Sequence, residues 1–243
     1  MPEKLLEYSL SYEKTNDYSA YPVIIVAAGS ASRMQGIDKL SLELGGMPLL
    51  ARTVAAFDSF DRISRIVVVT REDKIKEYSD YKEKFGFKKD YTVVLGGASR
   101  EESVLNGIIA LGSAEKVLIH DGARPLITSE VIARVADGLE ISDSVTCGVR
   151  VVDTIKSVNE DSIVTKTLNR DFLYSIQTPQ GVNVNKFKES AKMNSLSLFT
   201  DDTSVLEAVG VKTLIVLGDR KNIKVTTPSD IALAEAYIKE GEL

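Results

Sequence analysis

The sequence predicts an α/β fold, a mostly parallel, twisted sheet flanked by helices. Three observations point there: short apolar runs recur along the chain, helical patterns separate them, and several helix starts carry capping signatures. The apolar runs place strands at 23–26, 66–70, 91–95, 116–120, 145–152 and 211–217. The helical patterns fall at 48–60, 72–84, 100–111, 129–140, 184–193, 201–209 and 229–240.

The elements follow in order. The run at 23–26 reads as a buried strand near the start of the sheet. Pro48 suits a first helical position, where its missing N–H costs nothing. Ser99 followed by Glu102 reads as a capping box opening the helix at 100–111. Within that helix Val104, Leu105, Ile108, Ile109 and Leu111 form an apolar face that predicts core. Two β-rich runs, 151–158 and 162–167, surround the polar Asn159-Glu160-Asp161 and predict a hairpin, a β-arm at about 150–175. Thr227-Pro228-Ser229-Asp230 combines a cap, an N1 proline and a first-turn acid. Residues 1–20 read as an N-terminal extension and 21–243 as one domain, with no linker or repeat to divide it.

Composition narrows the function class. The chain has 243 residues, 44% hydrophobic and 27% charged, with a formal net charge of −5, which argues against broad nucleic-acid or anionic-membrane binding. Its one cysteine, Cys147, excludes an internal disulfide and suits a reducing compartment. No apolar segment approaches the roughly 18 residues of a membrane span. The start of the chain lacks a signal-peptide core. A cytoplasmic enzyme is the expected class.

Candidate chemistry lies where strands end, because ligands of open α/β sheets bind beyond the carboxyl ends of the strands. After the first strand the chain runs through the small residues 27–32 and meets two cations, Arg33 and Lys39. Small residues let backbone N–H groups approach anionic oxygens, and adjacent cations suggest a polyphosphate. Neither G-x-x-x-x-G-K-[ST] nor G-x-G-x-x-G is present, which disfavours an ordinary ATPase and a dinucleotide site. A second cluster, Gly96-Gly97-Ala98-Ser99-Arg100, offers close backbone approach for a flat base. The third is His120-Asp121-Gly122-Ala123-Arg124-Pro125, where a strand-end carboxylate can hold a metal or ribose hydroxyls. The bland alternatives are a turn, a helix cap and an Asp121–Arg124 surface ion pair. His120, the single histidine, is a poor zinc signal, and no Ser-His-Asp arrangement is visible. Lys224 sits in an apolar-flanked segment, and Asp201 and Asp202 favour a helix dipole.

Taken together and in this order, the clusters resemble the 2-C-methyl-D-erythritol 4-phosphate cytidylyltransferases. The resemblance covers roughly residues 22–240. It rests on Ala27-Ala28-Gly29 with Arg33-Met34 and Lys39, Gly96-Gly97 through Arg100 to Ser103-Val104, His120 to Pro125, and Asp153-Thr154-Ile155-Lys156. It continues through Arg170, Gln177-Thr178-Pro179-Gln180 and Thr200-Asp201-Asp202 to Asn222-Ile223-Lys224-Val225-Thr226-Thr227-Pro228. The resemblance implies a Rossmann-like three-layer nucleotidyltransferase fold. It also implies transfer of CMP from CTP to methylerythritol phosphate, with Mg²⁺ or another divalent cation. By that similarity Arg33, Lys39 and Lys224 are catalytic. Ala27, Ala28, Gly29, Gly97, Ala98, Ser103, Asp121 and Arg124 bind nucleotide, and Asp121 is a possible metal ligand. Thr154, Arg170 and Thr178 surround the acceptor. The arm exchanges with a second subunit, so a homodimer is implied.

The chain departs from the family pattern at Ala31, where a second glycine is usual, and at Gly122, where alanine is. Asp38-Lys39-Leu40 replaces the usual Pro-Lys-Gln, and the stretch from Met34 to Lys39 is one residue shorter. Asp38 either pairs with Lys39 or stands in solvent. Ribitol-5-phosphate cytidylyltransferases resemble the same motifs, although they tend to carry valine at the position of Ala123. A non-catalytic nucleotide sensor is a second alternative, and a nicotinamide dehydrogenase a distant third.

Overall fold

The computed structural model describes residues 19–29 and 38–241. The expected N-terminal extension lies outside these apart from Ser19 and Ala20, and so does Arg33. Strands β1 (Tyr21–Ala27), β4 (Ile63–Thr70), β5 (Asp90–Leu95), β6 (Lys116–Asp121), β7 (Ser144–Arg150), β10 (Tyr174–Asn183) and β11 (Leu214–Leu217) form the main sheet. Its seven strands run in the order β11-β7-β10-β6-β1-β4-β5. Every pairing is parallel except those of β10, which is antiparallel to both β6 and β7.

Side chains of β1 explain the layers. Val23 and Ile25 enter one core and Ile24 the other, all fully buried, so a strand covered on both faces reads as an unbroken apolar run. The first core takes helices α1 (Leu49–Asp58), α5 (Ser129–Ile141) and α8 (Pro228–Lys239). The second takes α4 (Arg100–Leu111), α6 (Val184–Met193) and α7 (Asp202–Glu207). Three layers result, as expected.

Several local expectations need correction. The strand β10 was not predicted. Its sequence, Tyr-Ser-Ile-Gln-Thr-Pro-Gln-Gly-Val-Asn, is polar and carries Pro179, which cannot donate to a ladder. The register against β7 shifts between Gln177 and Gln180, where the Thr178–Pro179 peptide is cis. The expected helix at 72–84 is a 3-10 turn followed by two short helices, α2 (Ile75–Ser79) and α3 (Tyr81–Phe85). Pro48 precedes α1 with extended backbone rather than opening it. Ser99 caps α4 by accepting from Glu102 N, but the Glu102 side chain accepts from Ala98 N instead of closing a box. Ile109 is exposed, so the apolar face of α4 is narrower than predicted. A short hairpin, β2 (Glu43–Leu44) with β3 (Met47–Pro48), was also unforeseen.

The arm is present: β8 (Lys156–Val158) pairs antiparallel with β9 (Val164–Thr167) as a separate two-stranded sheet. In the main sheet β1 lies between β4 and β6, and the chain moves outward to β5 before crossing back to β6. That reversal opens a crevice at the carboxyl ends of β1 and β6. Val26 and Asp121 are register partners at its floor.

Candidate active site

The crevice gathers charge around one carboxylate. Asp121, the last residue of β6, is 7% exposed. Lys224 Nζ lies 2.8 Å from its Oδ2 and Arg100 Nη2 lies 3.2 Å from its Oδ1. Arg124, the partner expected from sequence, is more distant at 3.8 Å and donates to the Asn222 carbonyl at 2.7 Å. Burial alone raises the Asp121 carboxyl. Arg100, Lys224 and Arg124 overcome that and hold it well below the usual carboxylate range.

Arg100 is itself gripped from behind. Its guanidinium makes a fork with Asp202, Nη1 to Oδ1 at 2.7 Å and Nη2 to Oδ2 at 2.8 Å, and Asp202 is fully buried. Asp201 caps α7, accepting from Ser204 N, and Gln180 Oε1 accepts from Asp202 N. The sequence places both acids at a helix start and Arg100 in the second strand-end cluster, but it does not pair them. The pair spans 102 residues of sequence, so no local pattern announces it.

His120 is fully buried and both ring nitrogens have partners. Nε2 faces the Arg124 carbonyl at 3.2 Å, and Nδ1 faces Thr178 Oγ1 at 3.0 Å. A carbonyl only accepts, so Nε2 carries the proton and Nδ1 accepts from the threonine hydroxyl. That leaves Thr178 Oγ1 to accept from Asp121 N at 3.1 Å. Burial pushes the histidine down from 6.5 to about 3. Unfolded chains therefore bind a proton below pH 6.5 that the folded state refuses, and stability falls as pH drops from 6.5 toward 3. The slope is about 1.4 kcal/mol per pH unit. Chemical denaturation at pH 7 and pH 5 should show a loss of about 2 kcal/mol that is missing in His120→Asn. An unchanged slope in that variant contradicts the assignment.

Two glycines bring the loops together. A Cβ on Gly96 would lie 2.6 Å from the Cβ of Ala28, so the first and second clusters touch there. A Cβ on Gly122 would lie 3.0 Å from both Leu50 Cδ1 and the Val26 carbonyl, so the backbone is closely approached there. Gly97 N donates to Ser103 Oγ at 3.1 Å, and Ser103 donates to the Ser99 carbonyl at 2.8 Å. Ser103 therefore braces the turn from a buried position, while Gly97 and Ala98 are exposed on its outer side. Ala27 ends β1, and Gly29 is exposed beyond it.

Lys39 and Asp38 take different partners. Lys39 Nζ donates to the Val225 carbonyl at 2.8 Å, one residue from Lys224. Asp38 pairs with Lys74 at 3.0 Å, so neither a partnership with Lys39 nor a solvated carboxylate describes it.

A profile of the IspD family, 2-C-methyl-D-erythritol 4-phosphate cytidylyltransferase, matches residues 21–240. The chain belongs to that family. A relative so named in Geobacter metallireducens is 40% identical over 225 residues, covering 89% of this chain and 97% of its own. Another in Halalkalibacterium halodurans is 38% identical, covering 91% and 98%. The crystal structure of 4-diphosphocytidyl-2C-methyl-D-erythritol synthase from Anaerococcus prevotii superposes with a TM-score of 0.82 at 33% identity, covering 92% of this chain and all of that one.

Two IspD-type residues stand apart from the cluster. Thr154 and Arg170 are exposed on the arm, where Arg170 donates to the Val152 carbonyl at 2.8 Å. Among the described residues neither bonds to Asp121. No group of three His, Cys, Asp or Glu side chains suited to a metal occurs among the described residues. Burial pushes the Cys147 thiol up to about 12, which removes it as a nucleophile. A cavity of about 550 Å³, lined by Tyr21, Arg65, Lys116 and Glu140 among others, opens at the opposite end of the strands and contains none of these groups. No helix among the described residues is long and apolar enough to cross a membrane.

Proposed function

We propose that this protein transfers CMP from CTP to 2-C-methyl-D-erythritol 4-phosphate, making 4-diphosphocytidyl-2-C-methyl-D-erythritol and pyrophosphate. Membership of the IspD family supports the substrates. The observation that carries the chemistry is the strand-end cluster, in which Lys224, Arg100 and Arg124 face Asp121 and Lys39 stands beside them. Four cations against three carboxylates, Asp121, Asp201 and Asp202, leave a surplus of positive charge suited to a triphosphate.

A phosphate oxygen of the acceptor attacks the α-phosphorus, and the bond to the β-phosphate oxygen breaks with its electron pair leaving on pyrophosphate. The attacking phosphate is already a nucleophile, so no serine, cysteine or charged histidine is required. Catalysis is then positioning and stabilisation of charge on the α-phosphate oxygens. Lys39 and Lys224 supply that charge in this reading. Gly97 and Ala98 present backbone to the base, Ser103 holds their turn, and Thr178 keeps Asp121 in place beside the acceptor.

A divalent cation fits this donor set in one way. Asp121 is the strand-end carboxylate, paired here with Arg100 and Lys224, and Mg²⁺ is commonly held by one or two carboxylates together with substrate phosphates. Asp121 would hold Mg²⁺ carried on the triphosphate, and the ion would neutralise phosphate charge there. A reaction that uses CTP suits the cytoplasm.

We also assign the arm to a homodimer. Val152, Val158, Ile163, Val164 and Phe172 are exposed on it, and Phe172 is 80% exposed. Apolar side chains gathered on one projection favour a covered surface. A dimer built through the arm would carry Thr154 and Arg170 toward the partner's crevice. Phe172→Asp should shift the protein from dimer to monomer in sedimentation velocity. An unaltered sedimentation coefficient removes Phe172 from the interface.

Pyrophosphate release from CTP and Mg²⁺, with methylerythritol 4-phosphate and ribitol 5-phosphate compared as acceptors, tests the function. Turnover on the first alone is expected. Turnover on ribitol phosphate instead would move the enzyme to polymer-precursor synthesis, and CTP binding with no release would make it a sensor.

A further inference from the structure

The residue before Lys39 is a carboxylate whose partners lie across the chain from the crevice lysines. Asp38 accepts at Oδ2 from the Tyr78 hydroxyl at 3.0 Å, with Lys74 Nζ at 3.0 Å. Its Oδ1 accepts from Leu40 N at 3.2 Å. The donors are themselves fixed. Tyr78 is 1% exposed and its carbonyl accepts from the Tyr91 hydroxyl at 2.8 Å. Lys74 is held by Glu77 at 2.6 Å, and Glu77 also accepts from Ser41 at 2.6 Å and Tyr81 at 3.1 Å.

We propose that Asp38 is a positioning residue for Lys39, anchoring to Tyr78 and Lys74 the backbone from which the Lys39 ammonium reaches Val225 and stands beside Lys224. The proposal rests on the catalytic role given above to Lys39. A lysine has a long flexible stem, and ordering it in one place costs rotamer entropy. Fixing the backbone at its root is the way to make that placement reliable. One end of the Asp38-Lys39 step is tied to the α2 side of the crevice. The other crosses to the segment before α8, whose Val225 N donates to the Ala123 carbonyl at 2.8 Å. Burial alone raises the Asp38 carboxyl, but Lys74 and Tyr78 bring it below its ordinary value, so the anchor stays charged at neutral pH.

The test is a double-mutant cycle on the full chain: wild type, Asp38→Asn, Lys39→Ala and the double variant, assayed with CTP, Mg²⁺ and methylerythritol phosphate. A displacement of about 1 Å can cost about 100-fold in rate, so Asp38→Asn should lower kcat about 10- to 100-fold. KM for the acceptor should stay within about twofold, because the anchor does not touch it. In the Lys39→Ala background the same substitution should cost nothing further. An equal loss in both backgrounds, or no loss in either, overturns the proposal, because a merely structural anchor acts regardless of Lys39. Tyr78→Phe removes one donor without touching the loop and runs the same cycle should Asp38→Asn fold poorly. Wild-type turnover is a separate readout: an active wild type with additive losses sinks this inference and leaves the function standing. A silent wild type sinks the function, and the cycle is then read from CTP affinity by calorimetry, where additivity again overturns the proposal.

Discussion

Lys39→Ala should lower kcat about 100-fold or more while the protein stays folded. Its ammonium reaches, at 2.8 Å, the carbonyl of Val225, the residue after Lys224, which pairs with Asp121. In the proposed reaction charge builds on the α-phosphate oxygens, and losing one preplaced cation from such a site costs roughly 2.7–4 kcal/mol of barrier. The ground-state loss falls on stability instead. A hydrogen bond from a charged group is worth about 1.5–3 kcal/mol, or roughly 3–10 °C in melting temperature for a chain of this size. Steady-state turnover and a thermal melt on the same preparation separate the two. Near-normal kcat would remove Lys39 from the machinery.

Arg100→Met should cost more in stability. Asp202 is fully buried, and both of its oxygens are taken by the Arg100 fork at 2.7 and 2.8 Å. Removing the guanidinium leaves an uncompensated buried carboxyl, which costs about 3–5 kcal/mol, a fall on the order of 10 °C in melting temperature. Burial already raises the Asp202 carboxyl against the pull of Arg100, so the orphaned acid would take up a proton. Arg100→Met with Asp202→Leu should recover much of the loss, because an apolar pair of similar volume carries no desolvation debt. A melting temperature unchanged in Arg100→Met would show that the fork contributes little.

What could be read from the sequence follows from how each element is buried. Strands β1, β4 and β6 are covered on both faces, so their side chains had to be apolar in unbroken runs, and the pattern was visible. From Gln177 to Val182 strand β10 is equally buried, but Gln177, Thr178 and Gln180 point polar groups inward because partners await them: Asp219, Asp121, Thr146 and Asp201. Such a strand has no hydrophobic signature, and Pro179 argues against it locally. The site divides in the same way. Asp121, Lys39 and Lys224 belong to strand ends and motifs, which topology alone makes suspect. The fork between Arg100 and Asp202, and the anchor from Asp38 to Tyr78, join residues distant in sequence and needed coordinates. Ile109 shows the converse. Helical spacing placed it on the apolar face of α4, but it falls beyond the width that β1 and β4 cover.

The most direct test of the account is a phosphorus-31 NMR spectrum of the protein with CTP, Mg²⁺ and 2-C-methyl-D-erythritol 4-phosphate. The account predicts that the three CTP resonances give way to pyrophosphate and to the two coupled phosphorus signals of a new diphosphate diester. CTP that persists unchanged, or that decays to CDP and inorganic phosphate, would contradict it.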